Sequence, residues 1–235
     1  MNELIKSFVN NNPYLFLVKM KFQKLRIRFR KSVVGNNNVI INNGVLFNVK
    51  YDIVGNNNKI EIMKRALLSD INIYIRGNNH QLIIEENCIV RGGGFWFEDS
   101  SCGITIGKNT TIESAHLAVT EVKTKINIGE DCMLSNEIDL RTGDSHAIID
   151  VEKNVKINNA QDILIGNHVW IGARSTILKG VVIGNNAIIG TGSIVTKNVS
   201  DNSIAVGIPA KIIKTNINWA RERFYVKEHV YPKSE

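Results

Sequence analysis

The sequence predicts an all-β chain wound into a triangular solenoid of parallel strands. Two repeats and their corner residues carry that prediction. Ile165, Ile171, Ile177, Ile183, Ile189 and Val195 recur every six residues. Upstream, "VVGNNNVI" (33–40), "IVGNNNKI" (53–60) and "IRGNNHQL" (75–82) form an imperfect repeat of about twenty residues. Gly and Asn recur where such a chain must turn, and Pro is scarce.

The hexad is the stricter signal. A helix needs apolar spacings of three and four, and a strand needs short-range alternation. Neither gives six. One flat side of a prism does, as a short strand followed by a corner. The aliphatic residue fills the interior. The residue two places earlier (Val169, Ser175, Val181, Ala187, Ser193) also points inward, nearer a corner, and is small or β-branched. The next residue is Gly166, Gly172, Gly184 or Gly190 in four of the hexads. Gly and Asn tolerate backbone angles that other residues resist. Three hexads make a coil of roughly 18 residues, and coils stack about 4.8 Å apart.

Three segments follow. Residues 1–32 form a basic amphipathic cap. Within it, Leu25-Arg26-Ile27-Arg28-Phe29-Arg30 alternates as a strand with one basic face. Those charges suit a solvated edge that resists pairing; they also suit an anionic membrane surface or an acidic polymer. Residues 33–211 form the solenoid, with room for roughly nine or ten coils. Apolar residues bracket every Asn run, so the asparagines belong at corners and can stack in ladders. Residues 212–235 form a tail with a short amphipathic helix, whose Trp219, Phe224 and Val230 pack on the last coil.

The chain has 235 residues, 43% apolar and 22% charged, an ordinary soluble composition with ample length for a core. The net charge of +7 favours an anionic partner: nucleic acid, anionic lipid, a phosphorylated cofactor or an acidic polysaccharide. No nucleic-acid recognition motif accompanies the basic residues. Cys88, Cys102 and Cys132 form no CxxC pair, and their odd number argues against a disulfide framework. They read as reduced, inward-facing residues. With no signal-peptide pattern and an apolar run, Tyr14 to Val18, too short to span a bilayer, the expected location is cytoplasmic, with contact at the inner membrane face compatible with the basic cap.

The segment "ILIGNHVWIGARSTILKGVVIGNNAIIGTGSIVTKNVSDNSIAVGIPAKII" (163–213) closely resembles the hexapeptide-repeat acyltransferases. The shared features are the hexads, the "VWIG" turn, the "GSIVTK" coil and the "VGIPAK" end. The resemblance implies a left-handed parallel β-helix, a homotrimer and acetyl-coenzyme A as cosubstrate. "RTGDSHAIID" (141–150) narrows it. A His in a "DSH" context, with the Trp of "VWIG" 24 residues later, resembles the branch that O-acetylates bacterial surface polysaccharides, sialic-acid capsules among them. The resemblance covers residues 130–213.

Acetyl transfer to a sugar hydroxyl needs a base, and His titrates near neutrality. His146 takes that role. A tetrahedral oxyanion needs a donor, most often a backbone N–H, and the turns at Gly166 and Gly172 can supply one. No metal and no acyl-enzyme are required. Trp170 precedes inward Ile171, so alternation turns it outward, as a wall for the acetyl-pantetheine arm. In the family the cosubstrate lies in the groove between neighbouring prisms. The backbone of Ala173, Gly190 and Gly192 would then meet the pantetheine amides, and Arg174, Lys197 and Lys211 the phosphates. Arg141 suits an acidic acceptor, and His116 borders the acceptor site. Asp144 orients the imidazole or turns the chain, with Asp139 a second candidate for orientation. His168 neighbours Trp170 as an exposed residue. His80, His116, His146, His168 and His229 contain no pair spaced five apart, as the zinc ligands of β-helical carbonic anhydrases are. Two other readings remain open: N-acetylation of an amino-sugar nucleotide, and a non-catalytic module that binds polysaccharide.

Overall fold

The structure, a computed structural model, describes residues 31–223. The basic strand Leu25 to Arg30 lies outside the described residues. The architecture is a three-sided parallel β-helix. On the first side seven strands stack in register: Val39–Asn42, Lys59–Ile62, Gln81–Ile84, Gly103–Ile106, Lys125–Ile128, Ile163–Ile165 and Val182–Ile183. The second side carries Val45–Phe47, Thr111–Ile112, Met133–Leu134, Trp170–Ile171, Ile188–Ile189 and Ile204–Gly207. The third side carries Lys31–Val34, Lys50–Val54, Ala115–Val119, Ile138–Arg141, Thr176–Ile177 and Ile194–Val195. Two long strands, Leu67–Arg76 and Ile89–Phe97, bend round a corner and belong to both the second and third sides.

The hexad reading holds at the level of side chains. Ile171, Ile177, Ile183 and Ile189 are fully buried, and so are Val169, Ser175, Ala187 and Ser193. The corners hold the asparagines. Asn37, Asn57, Asn79, Asn87, Asn109 and Asn186 all adopt positive φ, a conformation that Asn and Gly accept more readily than other residues. Their side chains form ladders. Asn56 Oδ1 accepts from Asn36 N at 2.8 Å, and Asn78 Oδ1 accepts from Asn56 N at 2.8 Å. Asn87 pairs with Asn109, and Asn186 with Asn202. The ladder through Asn56 and Asn78 satisfies backbone donors that a corner removes from the strand pairing. All three cysteines are free and buried. Burial pushes the Cys88 and Cys132 thiols up to about 11.

Two expectations are corrected. The first side holds seven strands, not nine or ten coils. Upstream coils repeat at 20 to 22 residues, in line with the imperfect repeat of about twenty, but one coil takes 37. Only after residue 163 does the repeat fall to 18 residues, and the last coil shortens to 16. The second correction concerns the tail. Residues 213–223 contain no helix, and residues 224–235 lie outside the described range. Ala210–Lys214 instead pairs antiparallel with Ile204–Gly207 and supplies hydrogen-bond partners to that terminal strand. The chain then runs back along the corner between the first and second sides. Ile217 N reaches Asn202 O, Trp219 packs beside His168, and Arg221 reaches Asp131 and Thr111. Trp219 is buried as expected, but well before the last coil.

Candidate active site

The 37-residue coil is long because the chain leaves the prism after Ile138–Arg141 and returns at Ile163–Ile165. The excursion contains a small antiparallel hairpin, Ile149–Asp150 with Val155–Lys156. Its start is anchored by Thr142, buried and bonded to Thr120 O and Thr124 Oγ1. Its two legs are tied by Asn158, which is 8% exposed. Asn158 Nδ2 donates to Asp144 Oδ2 and to His146 O, both at 2.8 Å, and its Oδ1 accepts from Ile148 N at 2.7 Å. Sequence reasoning missed Asn158. Nothing in its local pattern distinguishes it from the corner asparagines.

His146 sits at the base of this excursion, one residue after Ser145 with φ 62. It is exposed. Among the described residues its ring has no hydrogen-bond partner, while its carbonyl is held by Asn158. Asp144 does not orient the imidazole. Its carboxylate is held by Lys179 and Asn158, whose hydrogen bonds lower its pKa. Lys179 also donates to Asn158 O at 2.9 Å. Asp144 therefore pins the excursion to the prism.

Asp139 serves another histidine. His116 pairs with Asp139 in the strand register, and its Nδ1 lies 3.0 Å from Asp139 Oδ1. Arg141 Nε donates to Asp139 Oδ2 at 2.7 Å. Burial raises the Asp139 pKa, but the bonds from His116 and Arg141 together outweigh it, so the carboxyl titrates below its ordinary range. His116 and Arg141 line a depression of about 250 Å³ that ends at Gly143 and Ser145, beside His146.

Trp170 lies on the second side, side chain outward and 38% exposed. Its ring sits 6.0 Å from that of Trp219, tilted by 51°. Behind both is a tight cluster. Trp219 stacks on His168 at 4.1 Å, and its Nε1 donates to His168 O at 2.8 Å. His168 bonds Asp131 at 2.6 Å and Trp219 O at 2.9 Å. His168 is thus a partly buried anchor for the returning tail, not a free surface residue.

The remaining candidates divide by position. Ala173, Arg174, Gly190 and Gly192 follow the second-side strands, and Lys211 lies on the closing antiparallel strand. Gly192 N donates to Ala173 O, and nothing stands within 4 Å of where a Gly192 side chain would be. Gly190 is different. Its N–H donates to Ala205 O, its carbonyl accepts from Ser175 and Ser193, and Val206 packs against its Cα. Arg174 and Lys197 are exposed but follow different sides of the prism, the second and the third. His116, Arg141, Asp144 and His146 gather on the third side and its corner with the first. In a triangle, that corner faces away from the second side. One chain therefore does not bring His146 and Trp170 together.

The comparisons with known proteins agree with this architecture. The family profile described as bacterial transferase hexapeptide (six repeats) matches residues 162–197. The polysialic acid O-acetyltransferase of Neisseria meningitidis is 41% identical over 192 residues, covering 81% of this chain and 88% of the relative. The chain belongs to the hexapeptide-repeat acetyltransferases. The crystal structure of the polySia-specific acetyltransferase NeuO aligns with a TM-score of 0.74 at 38% identity, covering 83% of this chain and 90% of that one. That of the polysialic acid O-acetyltransferase OatWY aligns with a TM-score of 0.78 at 35% identity, covering 83% and 93%. This chain is an acetyltransferase by that kinship.

Proposed function

We propose that the enzyme moves an acetyl group from acetyl-coenzyme A to a hydroxyl of a bacterial surface glycan, with a sialic-acid polymer as the first acceptor to test. The kinship to two polysialic acid O-acetyltransferases supports the acceptor class. One observation carries the chemistry: His146 stands exposed on an excursion that Asn158, Asp144 and Lys179 tie down. A rigid backbone beneath a ring with no partner in the described chain suits a base that must meet an incoming hydroxyl.

His146 takes the hydroxyl proton as the acceptor oxygen attacks the thioester carbonyl. The C–O bond forms, the C–S bond breaks, and the proton leaves with the coenzyme A sulfur. The open backbone around Ala173 and Gly192, with Trp170 as an apolar wall, suits the pantetheine arm. Arg174, Lys197 and Lys211 are the cations for its phosphates. Because His146 and Trp170 lie on opposed parts of one prism, the site is completed by two copies, His146 from one and Trp170 from its neighbour. A homotrimer supplies three such grooves. We place the reaction in the cytoplasm at the inner membrane face; the buried free thiols support a reducing compartment.

The test is transfer of labelled acetyl from acetyl-coenzyme A to sialylated glycans. His146→Ala lowers turnover by roughly 10²–10⁴-fold. Near-normal turnover removes His146 as the base. The product is an alkali-labile ester; an alkali-stable amide overturns O-acetylation. Mixing inactive His146→Ala and Trp170→Ala chains through unfolding and reassembly restores part of the activity if two copies share each site. No recovery places both residues within one copy's reach.

A further inference from the structure

The third side carries a second set of residues that the transfer step does not use. Strand register arranges its outward side chains in two columns. One runs Lys50, Asn72, Gly94, His116, Asp139, and the other runs Asp52, Tyr74, Trp96, Ala118, Arg141. Gly94 and Ala118 are the small members, one in each column. Each leaves a hollow. The hollow over Gly94, about 570 Å³, is lined by Lys50, Tyr74 and Trp96 among others, and the one over Ala118 is the 250 Å³ depression that ends beside His146. Trp96 and His116 line both, so the two form one trough along the prism axis. From Lys50 to Asp139 it crosses four strand spacings, about 19 Å at roughly 4.8 Å each.

The floor of this trough is rigid. Tyr74 and Trp96 stack at 3.8 Å with 19° between planes, and the Arg76 guanidinium lies 3.9 Å from the Tyr74 ring centre. Arg76 is itself paired with Asp52 at 3.0 Å. Tyr74 covers one face of the indole. The next residue in that column is Ala118, too small to cover the other, and His116 stands off at 6.3 Å and 58°. The uncovered face of Trp96 therefore opens over Ala118, beside the foot of the excursion. Around it stand polar groups with spare capacity. Arg141 is held through Nε by Asp139, and its Nη groups bond nothing among the described residues. Glu98 borders the hollow as an acceptor.

We infer that this trough is the acceptor subsite, in which one sugar ring of an acidic glycan stacks on the free face of Trp96 while the neighbouring rings extend over Gly94 toward Lys50. A pyranose has an apolar C–H face that suits an indole and a rim of hydroxyls that suits side chains such as Glu98 and His116. The Arg141 Nη groups take the sugar carboxylate, since a guanidinium matches a carboxylate's paired oxygens. Asp139 positions both His116 and Arg141. The trough ends at Ser145, so a ring stacked there brings its next neighbour to His146. The assignment rests on the glycan reading above, and direct binding separates the two.

Titrate the folded full-length protein with a sialic-acid polymer in the absence of acetyl-coenzyme A, then measure KM for that polymer in transfer. Trp96→Ala weakens polymer binding and raises KM by about 10-fold or more, the loss expected of a central aromatic anchor. Trp96→Phe keeps a stacking face and restores most of the affinity, which a merely structural role for Trp96 does not predict. The dissociation constant for acetyl-coenzyme A stays put in both variants. If the polymer is acetylated and Trp96→Ala leaves its KM unchanged, the subsite is overturned and the O-acetylation reading stands. If the polymer binds through Trp96 without being acetylated, the subsite stands and the reaction reading fails. If the folded wild-type protein neither binds nor acetylates it, both fall.

Discussion

The upstream and downstream halves of the prism obey one winding rule and differ in what they expose. Downstream coils repeat at 18 and then 16 residues, and their third side is a strand of only two residues, as in Thr176–Ile177. Upstream coils repeat at 22, and the third side lengthens to five residues in Lys50–Val54 and Ala115–Val119. Side chains alternate in and out along a strand. A two-residue strand shows one outward side chain, whereas a five-residue strand shows at least two. The four additional residues per coil thus create the second outward column that holds Tyr74 and Trp96. Regular coils build a wall, and lengthened coils build a surface that can select a ligand.

The boundary between the halves is the excursion that carries His146, and the largest predicted effect lies there. Removing the His146 imidazole costs roughly 10²–10⁴-fold in turnover, with circular dichroism unchanged because the exposed ring has no partner in the described chain. Next, two glycines, one in each half, respond differently to the same change. Gly55 has φ 144, and a methyl there overlaps the Gly77 carbonyl of the next coil. Gly192 has φ 71, and a methyl there meets nothing within 4 Å. Gly55→Ala therefore lowers Tm by about 5 °C or more, while Gly192→Ala costs only the left-handed backbone, about 1–2 kcal/mol. Equal shifts in thermal melts break the idea that upstream corners are stacked backbone to backbone.

A smaller effect separates the excursion from the prism. Asn158→Ala removes three hydrogen bonds inside the excursion. We expect a stability loss of about 1–3 kcal/mol and faster proteolysis at the hairpin, with the strand core untouched. Limited proteolysis followed by mass spectrometry checks the cut site. The least change is acid sensitivity. Asp139 and Asp144 titrate lower in the fold than in the unfolded chain. Their contribution is therefore complete at neutral pH and is lost as pH falls through the carboxylate range toward their folded values. Asp139→Asn flattens the decline of Tm between about pH 5 and pH 3; an unchanged slope removes Asp139 as a stabilising acceptor.

Much of this was legible beforehand. The hexads named their own core: Ile171, Ile177, Ile183 and Ile189 are fully buried, and the positions two earlier are buried with them. The Asn runs announced corners and ladders. Alternation turns Trp170 outward, and its side chain is exposed while that of Ile171 is buried. The tail misled because apolar and charged residues mixed at short range suit a helix as readily as an edge strand. The open edge of Ile204–Gly207 drew Ala210–Lys214 alongside it by offering unpaired backbone groups, and residues 215–223 follow without a helix. The coil count misled because one coil takes 37 residues, an excursion that no repeat announces.

The sequence by itself determined the winding, the inward residues and the corners. Those are local rules, repeated, and a repeated local rule needs no distant partner to be read. The tertiary structure decided which residues meet. Tyr74 and Trp96 stack because their strands are in register, Asp139 serves His116 rather than His146 for the same reason, and Asn158 ties an excursion whose path no repeat describes. Trp170 and His146 lie on opposed parts of the prism because a three-sided coil turns residues only a few strands apart in sequence toward different directions in space.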